Sequence, residues 1–542
     1  MRNNQQKTDL LILARRCHDL GPGVRPCGAL AIANGTIVAT GTRRSILRLR
    51  SRGTRVLDLG EAAVTPGLVD CHTHFVYWAL GRALVIDLSP LRSLNDVLQK
   101  IHKSSARKRV GEWVMARGYD YNRWSDKPPC AVDLDRAVAD HPAMAYSRDG
   151  HSVWLNTRAM RKLRIDRRTP DPEGGRYLRD TRGRPTGIVQ ETALYDLPDP
   201  LREFALRTDA PAIRTVGRAL DAGYRAAWRL GIVGVHVMDN APSLLHLQRH
   251  HADDHLGLRI MHAIQLADLD HAVALGLRSG LGDTWLRLGG VKIFSDGALG
   301  SQTAYMFDPY PGKGDYHGVP VTAGEELKES VCRAARHGWA SWVHAIGDRA
   351  VHETIDAIVA AQRVATTPLP HRIEHVQCIR PRDIRRMSRA GIIASVQPCH
   401  LLGDIDTANR HWPRARRNTY PFRRLLDASV TLASGSDLPI ESIDPRRSLF
   451  AATMRTTEQG QPPEGWFPQQ RISTEEALRA FTRGAAVASG GSAAAGTLRP
   501  GAPADLTIWA EDPVRAAPES LLDIGVVGCV IHGQVHLTEH AS

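Results

Sequence analysis

Short apolar runs broken by turn residues occupy both ends of the chain. Near the start they are Asp9–Ala14, Ala29–Ala33, Thr36–Thr40 and Val56–Leu59; near the end, Leu506–Trp509, Val526–Ile531 and Gln534–Leu537. The small glycine turns at Asn34-Gly35-Thr36 and His532-Gly533-Gln534 are hairpin signals. The long middle reads differently. Short apolar strands alternate there with helix-like segments such as Ala323–His337 and Ala350–Ala361. The strands are Ala63–Val69, Gly231–Val237, Leu258–Ile264, Leu288–Phe294, Ala340–His344, Arg372–His375, Ile392–Val396 and Val430–Ala433.

Strand–helix alternation predicts a parallel sheet, and eight strands suit a closed (β/α)₈ barrel. An open doubly wound sheet would alternate too, but no G-x-G-x-x-G opens a helix here. The expected fold is therefore α/β. A TIM barrel spans residues 64–489, and residues 1–63 with 490–542 form a β-sandwich built from both termini. About 160 residues separate strands one and two, far more than a barrel loop holds. Residues 76–215 are thus expected to form a subdomain inserted after strand one. Its stretches GYDYNRW, DGHSVWLNTRA and GIVQETA carry aromatic and polar groups suited to covering a substrate pocket.

Composition changes this picture little. At 542 residues, 42% hydrophobic and 23% charged, the chain can bury a sizeable core. The net charge of +13 could draw nucleic acid. Arginines are spread along the whole chain, however, and no nucleic-acid motif is present, so a nucleic-acid partner is not expected. Arg414, Arg416 and Arg417, broken by Pro413 and Ala415, read as a solvated loop. None of the eight cysteines forms a C-x-x-C pair, and scattered cysteines suit a reducing compartment. The N-terminal apolar run is too short for a signal-peptide core, and no stretch is long enough to span a membrane. A cytoplasmic protein with a small-molecule substrate and no membrane partner is expected, its state open between monomer and homodimer.

Candidate chemistry sits at the strand ends, where TIM-barrel sites are built. Asp70-Cys71-His72-Thr73-His74 follows an apolar strand. Residues i and i+2 of a strand share a face, so His72 and His74 can grip one metal ion. Lys292 lies inside the apolar strand Gly290–Phe294. An ammonium is costly to bury, and only nine of the 70 basic residues are lysines, so arginine would usually have served if charge alone mattered. A desolvated lysine is a neutral nucleophile, able to take up CO₂ as a carbamate that bridges two metals. The alternative is a snorkelling or salt-bridged lysine. His344 and His375 each close a short apolar strand. Either alone would read as a core histidine; two on separate strands beside the H-x-H pair read as ligands. Asp437 follows the eighth strand, where it can cap a helix, bind a metal or accept a proton from metal-bound water. His151, Gln302, Asp348, Arg349 and His400 are weaker candidates for substrate or oxyanion contacts, set against structural roles.

The motifs PGLVDCHTHF, DGHSVWLNTRA, VKIFSDGALGSQTA, VHAIGDRAV, RIEHVQ, SVQPCH, SGSDLPIESIDP and AGTLRPGAPADLTIW run over nearly the whole chain. Together they resemble the amidohydrolase superfamily, and within it the YtcJ-like branch that includes N-substituted formamide deformylases. The resemblance implies a barrel flanked by a terminal β-sandwich and a divalent metal centre, zinc-type, of one or two ions. His72 and His74 would hold one ion and His344 and His375 the other. Carboxylated Lys292 would bridge them, with Asp437 as ligand and general base. The implied reaction is hydrolysis of a C–N bond other than a peptide bond. In the tail, Pro500-Gly501-Ala502-Pro503-Ala504-Asp505-Leu506 departs from the usual PGKxADL, far from the expected site. Imidazole and carboxylate ligands also admit Mn, Fe or Co. Three other readings compete: a mononuclear deaminase on the same barrel, an ester hydrolase, and a scaffold without chemistry. A deaminase's H-x-x-E is missing after His344, though Glu374 adjoins His375.

Overall fold

The computed structural model describes residues 7–538 apart from 22, 107, 121–123, 125–128, 148–151, 173–174, 199 and 208. The chain forms two compact units, residues 1–76 with 221–542, and residues 77–220.

The first unit contains eight parallel strands in sequence order. They are β1 (Leu68–Thr73), β2 (Ile232–Val237), β3 (Arg259–Gln265), β4 (Leu286–Phe294), β5 (Ser341–Ala345), β6 (Arg372–His375), β7 (Ile393–Val396) and β8 (Leu432–Ser434). Strands β2, β6 and β7 are buried along their whole length, which is why they read as unbroken runs and not as alternating ones. The first and last strands close the ring just beyond β8. Thr73 bridges Leu438 in parallel, Asp437 N–H donates to His72 O at 2.7 Å and His74 N–H to Leu438 O at 2.6 Å. Helices cover the connections. Gly324–Arg336 buries Leu327, Val331, Ala334 and Ala335, spaced as one helical face. Asp348–Val364 does the same with Val351, Ile355 and Ile358. Among the described residues no helix is long and apolar enough to cross a membrane.

Both chain ends meet in a second, eight-stranded sheet of this unit. Leu10–Cys17 is bonded to Cys27–Ala33, Arg55–Asp58 and Ala63–Pro66, and Leu506–Trp509 lies antiparallel to Ala63–Pro66. Leu10, Ile12, Leu30, Ile32, Val64, Leu506, Ile508 and Val530 form its core, so residues from both ends share one apolar interior.

One expected strand is corrected. Ala63–Val69 is not a single barrel strand: Ala63–Pro66 belongs to the terminal sheet, and the barrel strand starts at Leu68. The chain crosses at Gly67, whose N–H donates to Asp505 O at 2.7 Å. A Cβ there would lie 2.5 Å from Val233 and 2.9 Å from Asp505, so only glycine lets the two sheets meet so closely.

Both hairpin turns have positive φ at two residues, Asn34 (49°) with Gly35 (68°) and His532 (50°) with Gly533 (79°), as a type I′ turn requires. The turns touch each other: a Cβ on Gly35 would lie 2.2 Å from the His532 ring. Gly35→Ala should therefore cost at least the 1–2 kcal/mol (roughly) of a left-handed alanine, visible as a lower denaturation midpoint. An unchanged midpoint would mean that the two turns yield freely.

The second unit holds a six-stranded sheet in the order Gly175–Arg179, Pro185–Glu191, Ser152–Leu155, Ala143–Ser147, Val114–Tyr119, Val85–Asp87. Its core gathers Leu88, Val97, Ile101, Val114, Tyr119, Leu134 and Trp154, with Val97 and Ile101 supplied by helix Leu94–Ser105.

Candidate metal centre

His72, His74, Lys292, His344, His375 and Asp437 line one cavity of about 400 Å³ at the C-terminal ends of the barrel strands. Strand β1 supplies His72 and leads into His74, β4 supplies Lys292, β5 His344 and β6 His375; Asp437 lies three residues past β8. Two of these residues have left-handed backbone, His375 at φ 75° and Asp437 at φ 59°. Such strain is kept only where neighbours enforce it. Here the seam bond from Asp437 N–H to His72 O, and Val376 N–H to Ala345 O at 3.2 Å, do so.

The two H-x-H imidazoles are held alike. His72 Nδ1 is 2.6 Å from Glu374 Oε2, and His74 Nδ1 is 3.1 Å from Asp239 Oδ1. Their Nε2 atoms both face Asp437 Oδ1, at 3.5 and 3.7 Å. His344 differs: its Nε2 donates to Gly297 O at 3.0 Å, which leaves Nδ1 as the lone-pair nitrogen. His375 packs between His72 and His344, with ring centroids 4.9 and 4.5 Å away.

Burial sets the protonation states. It holds His72 and His375 well below the usual histidine range and, with the Lys292 charge, pushes His344 down to about 3. For His74 burial works the same way, but the bond to Asp239 and the Asp239 and Asp437 charges outweigh it and raise the pKa. Burial brings the Lys292 ammonium down to about 8, against the opposing pull of Glu374 and Asp437. A fraction of Lys292 is therefore a neutral amine near pH 7. Its Nζ lies 4.7 Å from the centroid of the Phe294 ring.

These donors suit a divalent ion. Among the described residues, His72, His375 and Asp437 each offer one atom within 4.8 Å of the others. Separations of 3.5 and 3.7 Å are too long for hydrogen bonds. They are close to the roughly 3.4 Å between two ligands of one tetrahedral ion with bonds of about 2.1 Å. Among the described residues His375 Nδ1 is buried with no hydrogen-bond partner, so its ring is not committed to another protein group through that nitrogen.

The weaker candidates divide. His400 lines the cavity, with Nε2 3.8 Å from Asp437 Oδ2 and Nδ1 3.4 Å from Gln377. Gln302, Asp348 and Arg349 are not among its lining residues. Gln302 Nε2 lies 3.4 Å from His411. Asp348 begins a helix and accepts from Phe307 N–H and Arg380 Nε, both at 2.9 Å. Arg349 stacks on Tyr305 at 4.5 Å and bonds Glu353. His151 lies outside the described residues.

Several contacts around the site were not anticipated, although Glu374 adjoins His375 in the sequence. Arg372 and Glu374, two residues apart on β6, share a side-chain face and are fully buried. Arg372 donates to Glu374 Oε1 at 2.8 Å and Oε2 at 3.0 Å, to Cys71 O at 2.7 Å and to Ser395 Oγ at 3.2 Å, and meets His236 Nδ1 at 2.7 Å. Its guanidinium also stacks on Trp342 at 4.0 Å. Glu374 is therefore bonded to Arg372 and His72 inside the barrel and is not among the residues lining the cavity. Asp70 accepts from His72 N–H and Ser436 N–H at 3.1 and 3.0 Å, and burial raises its pKa to about 7. Asp296 likewise gathers three backbone N–H groups, from Tyr305, Ile346 and Gly347. The available signal was an acid within or just past a barrel strand, as for Asp70 in β1 and Asp239 beyond β2.

Comparison with known proteins agrees with this geometry. The model of the amidohydrolase family matches residues 55–536. The protein LONG AFTER FAR-RED 3 of Arabidopsis thaliana is 30% identical over 89% of this chain and 83% of its own length. The putative amidohydrolase YtcJ of Bacillus subtilis is 27% identical over 94% and 95%. The N-substituted formamide deformylase of Arthrobacter pascens is 25% identical over 97% and 98%. Among solved structures, an uncharacterized metal-dependent hydrolase from Pyrococcus furiosus superposes with a TM-score of 0.78 at 25% identity, covering 93% of this chain and all of that one.

Proposed function

This chain belongs to the amidohydrolase family, and on that premise we propose that it is a metal-dependent hydrolase of a C–N bond other than a peptide bond, of amide or formamide type. The observation that carries the reading is the convergence of four histidines, Lys292 and Asp437 on one cavity. Similarity to an N-substituted formamide deformylase over nearly the whole chain supports the formamide class.

In this reading His72, His74 and Asp437 would hold one ion of zinc type and His344 and His375 would hold a second. The neutral amine of Lys292 adds to the carbon of CO₂, forms an N–C bond and loses a proton. The resulting carbamate would be an anionic oxygen ligand available to the metal. Bound there, the metal would bring the pKa of a water to about 7 and polarise the substrate carbonyl. Asp437 takes the proton of the attacking water and delivers it to the leaving nitrogen, so the C–N bond breaks and the amine departs neutral. Burial keeps the imidazoles of His72, His344 and His375 uncharged and therefore able to donate lone pairs.

Metal content and hydrolysis of N-substituted formamides and simple amides, measured on wild type and Lys292→Ala, test this reading. The expected result is about two ions per chain in wild type, a sharp fall in the variant, and amine release that chelation stops and zinc restores. One ion in both proteins would make Lys292 structural and favour a mononuclear enzyme. No metal in either after reconstitution would leave a scaffold without this chemistry.

A further inference from the structure

The H-x-H histidines carry an arrangement that their role as ligands does not by itself require. Each presents Nδ1 to a buried carboxylate from a different strand: His72 to Glu374 of β6, and His74 to Asp239, two residues past the end of β2. A carboxylate only accepts, so the ring nitrogen facing it must carry the hydrogen. That places the lone pair of both rings on Nε2, the atoms that converge on Asp437. The carboxylates are themselves fixed. Arg372 grips both oxygens of Glu374, and Asp239 Oδ2 accepts Val76 N–H at 3.0 Å.

We propose that Glu374 and Asp239 are positioning residues that hold His72 and His74 in the Nδ1–H tautomer, so that both Nε2 lone pairs are aimed before any ion arrives. This rests on the reading of the cavity as a metal site. Pre-aimed ligands lose less freedom on binding, and the carboxylate makes each imidazole a stronger donor. Arg372 meets both oxygens of the buried Glu374 carboxylate, which fixes its place beside His72.

Glu374→Gln isolates the effect. Three donors, Arg372 Nε, Arg372 Nη2 and His72 Nδ1, converge on this side chain. An amide offers one oxygen for the three. With its NH₂ toward His72 it forces the opposite tautomer and puts a hydrogen on Nε2; turned the other way, it sets donor against donor at Arg372. Asp239→Asn repeats the test at His74. Ser395→Ala is the control, since it removes another hydrogen bond of Arg372 at a side chain that bonds neither histidine among the described residues.

Zinc affinity of the full-length proteins, read by competition with a chromophoric chelator, should fall about 10- to 100-fold in Glu374→Gln and Asp239→Asn. It should stay within about twofold in Ser395→Ala. Imidazole ¹⁵N shifts of wild type should report Nδ1–H at both rings, a readout that survives if a variant folds poorly. Wild-type binding with undiminished affinity in both carboxylate variants would overturn the inference, as would Nε2–H rings in wild type. Failure of wild type to bind zinc would instead overturn the metal-site reading beneath it.

Discussion

Replacing Asp437 by asparagine is expected to lower kcat/KM on an N-substituted formamide about a thousandfold while the fold stays intact. General base catalysis typically contributes about 10²–10⁴ in rate, and an amide cannot take a proton from water at neutral pH. The substitution spares what holds the loop. The seam bond uses the backbone N–H of residue 437, not its side chain. Asparagine also tolerates the left-handed φ of 59° about as well as aspartate does. What disappears is the charge that faces His72 and His74 at 3.5 and 3.7 Å and His400 at 3.8 Å. The measurement is kcat and KM with a denaturation midpoint beside them. A kcat within tenfold of wild type would remove Asp437 as the base, and a collapsed midpoint would make its role structural.

The largest expected loss of stability follows from Arg372→Met. The guanidinium is fully buried and satisfies Glu374, Cys71 O and Ser395 at once. Removing it leaves the Glu374 carboxylate buried without a counter-charge, which typically costs about 3–5 kcal/mol. Adding Glu374→Leu should recover much of that loss, because an apolar pair of similar volume is often as stable as a buried ion pair. The double variant should regain its urea midpoint and still bind zinc weakly, since His72 has lost its acceptor. A single variant within about 1 kcal/mol of wild type would show that the pair contributes little to stability.

The barrel was legible because parallel strands covered on both faces appear as unbroken apolar runs, each followed by a helical stripe such as Leu327, Val331 and Ala335. The six cavity residues were legible for a related reason: a polar side chain that ends an apolar strand stands out, as His344 and His375 do. The break at Gly67 was missed although Pro66-Gly67 is a turn signal within residues 64–69; the approach of Val233 and Asp505 shows why only glycine fits there. Arg372 carries no assigned role in the sequence, and Glu374 stands out there only as adjoining His375. Their purpose depends on partners across the barrel, His236 on β2 and the Cys71 carbonyl on β1, which adjoin only once the ring is closed. Asp348 and Arg349 drew attention by sequence proximity to His344. The helix that starts at Asp348 turns that carboxylate toward Arg380 and Phe307 instead.

Ring closure has one more consequence. The donors at positions 72 and 74 wait on one edge of an open sheet until residue 437 arrives at the other, and backbone bonds across that edge hold the two sides together. A nascent chain that has folded seven strands already owns five of the six side chains and still has no assembled centre. Closing that edge therefore brings Asp437 to the other five side chains in a single step, so the ring and the candidate centre are completed together.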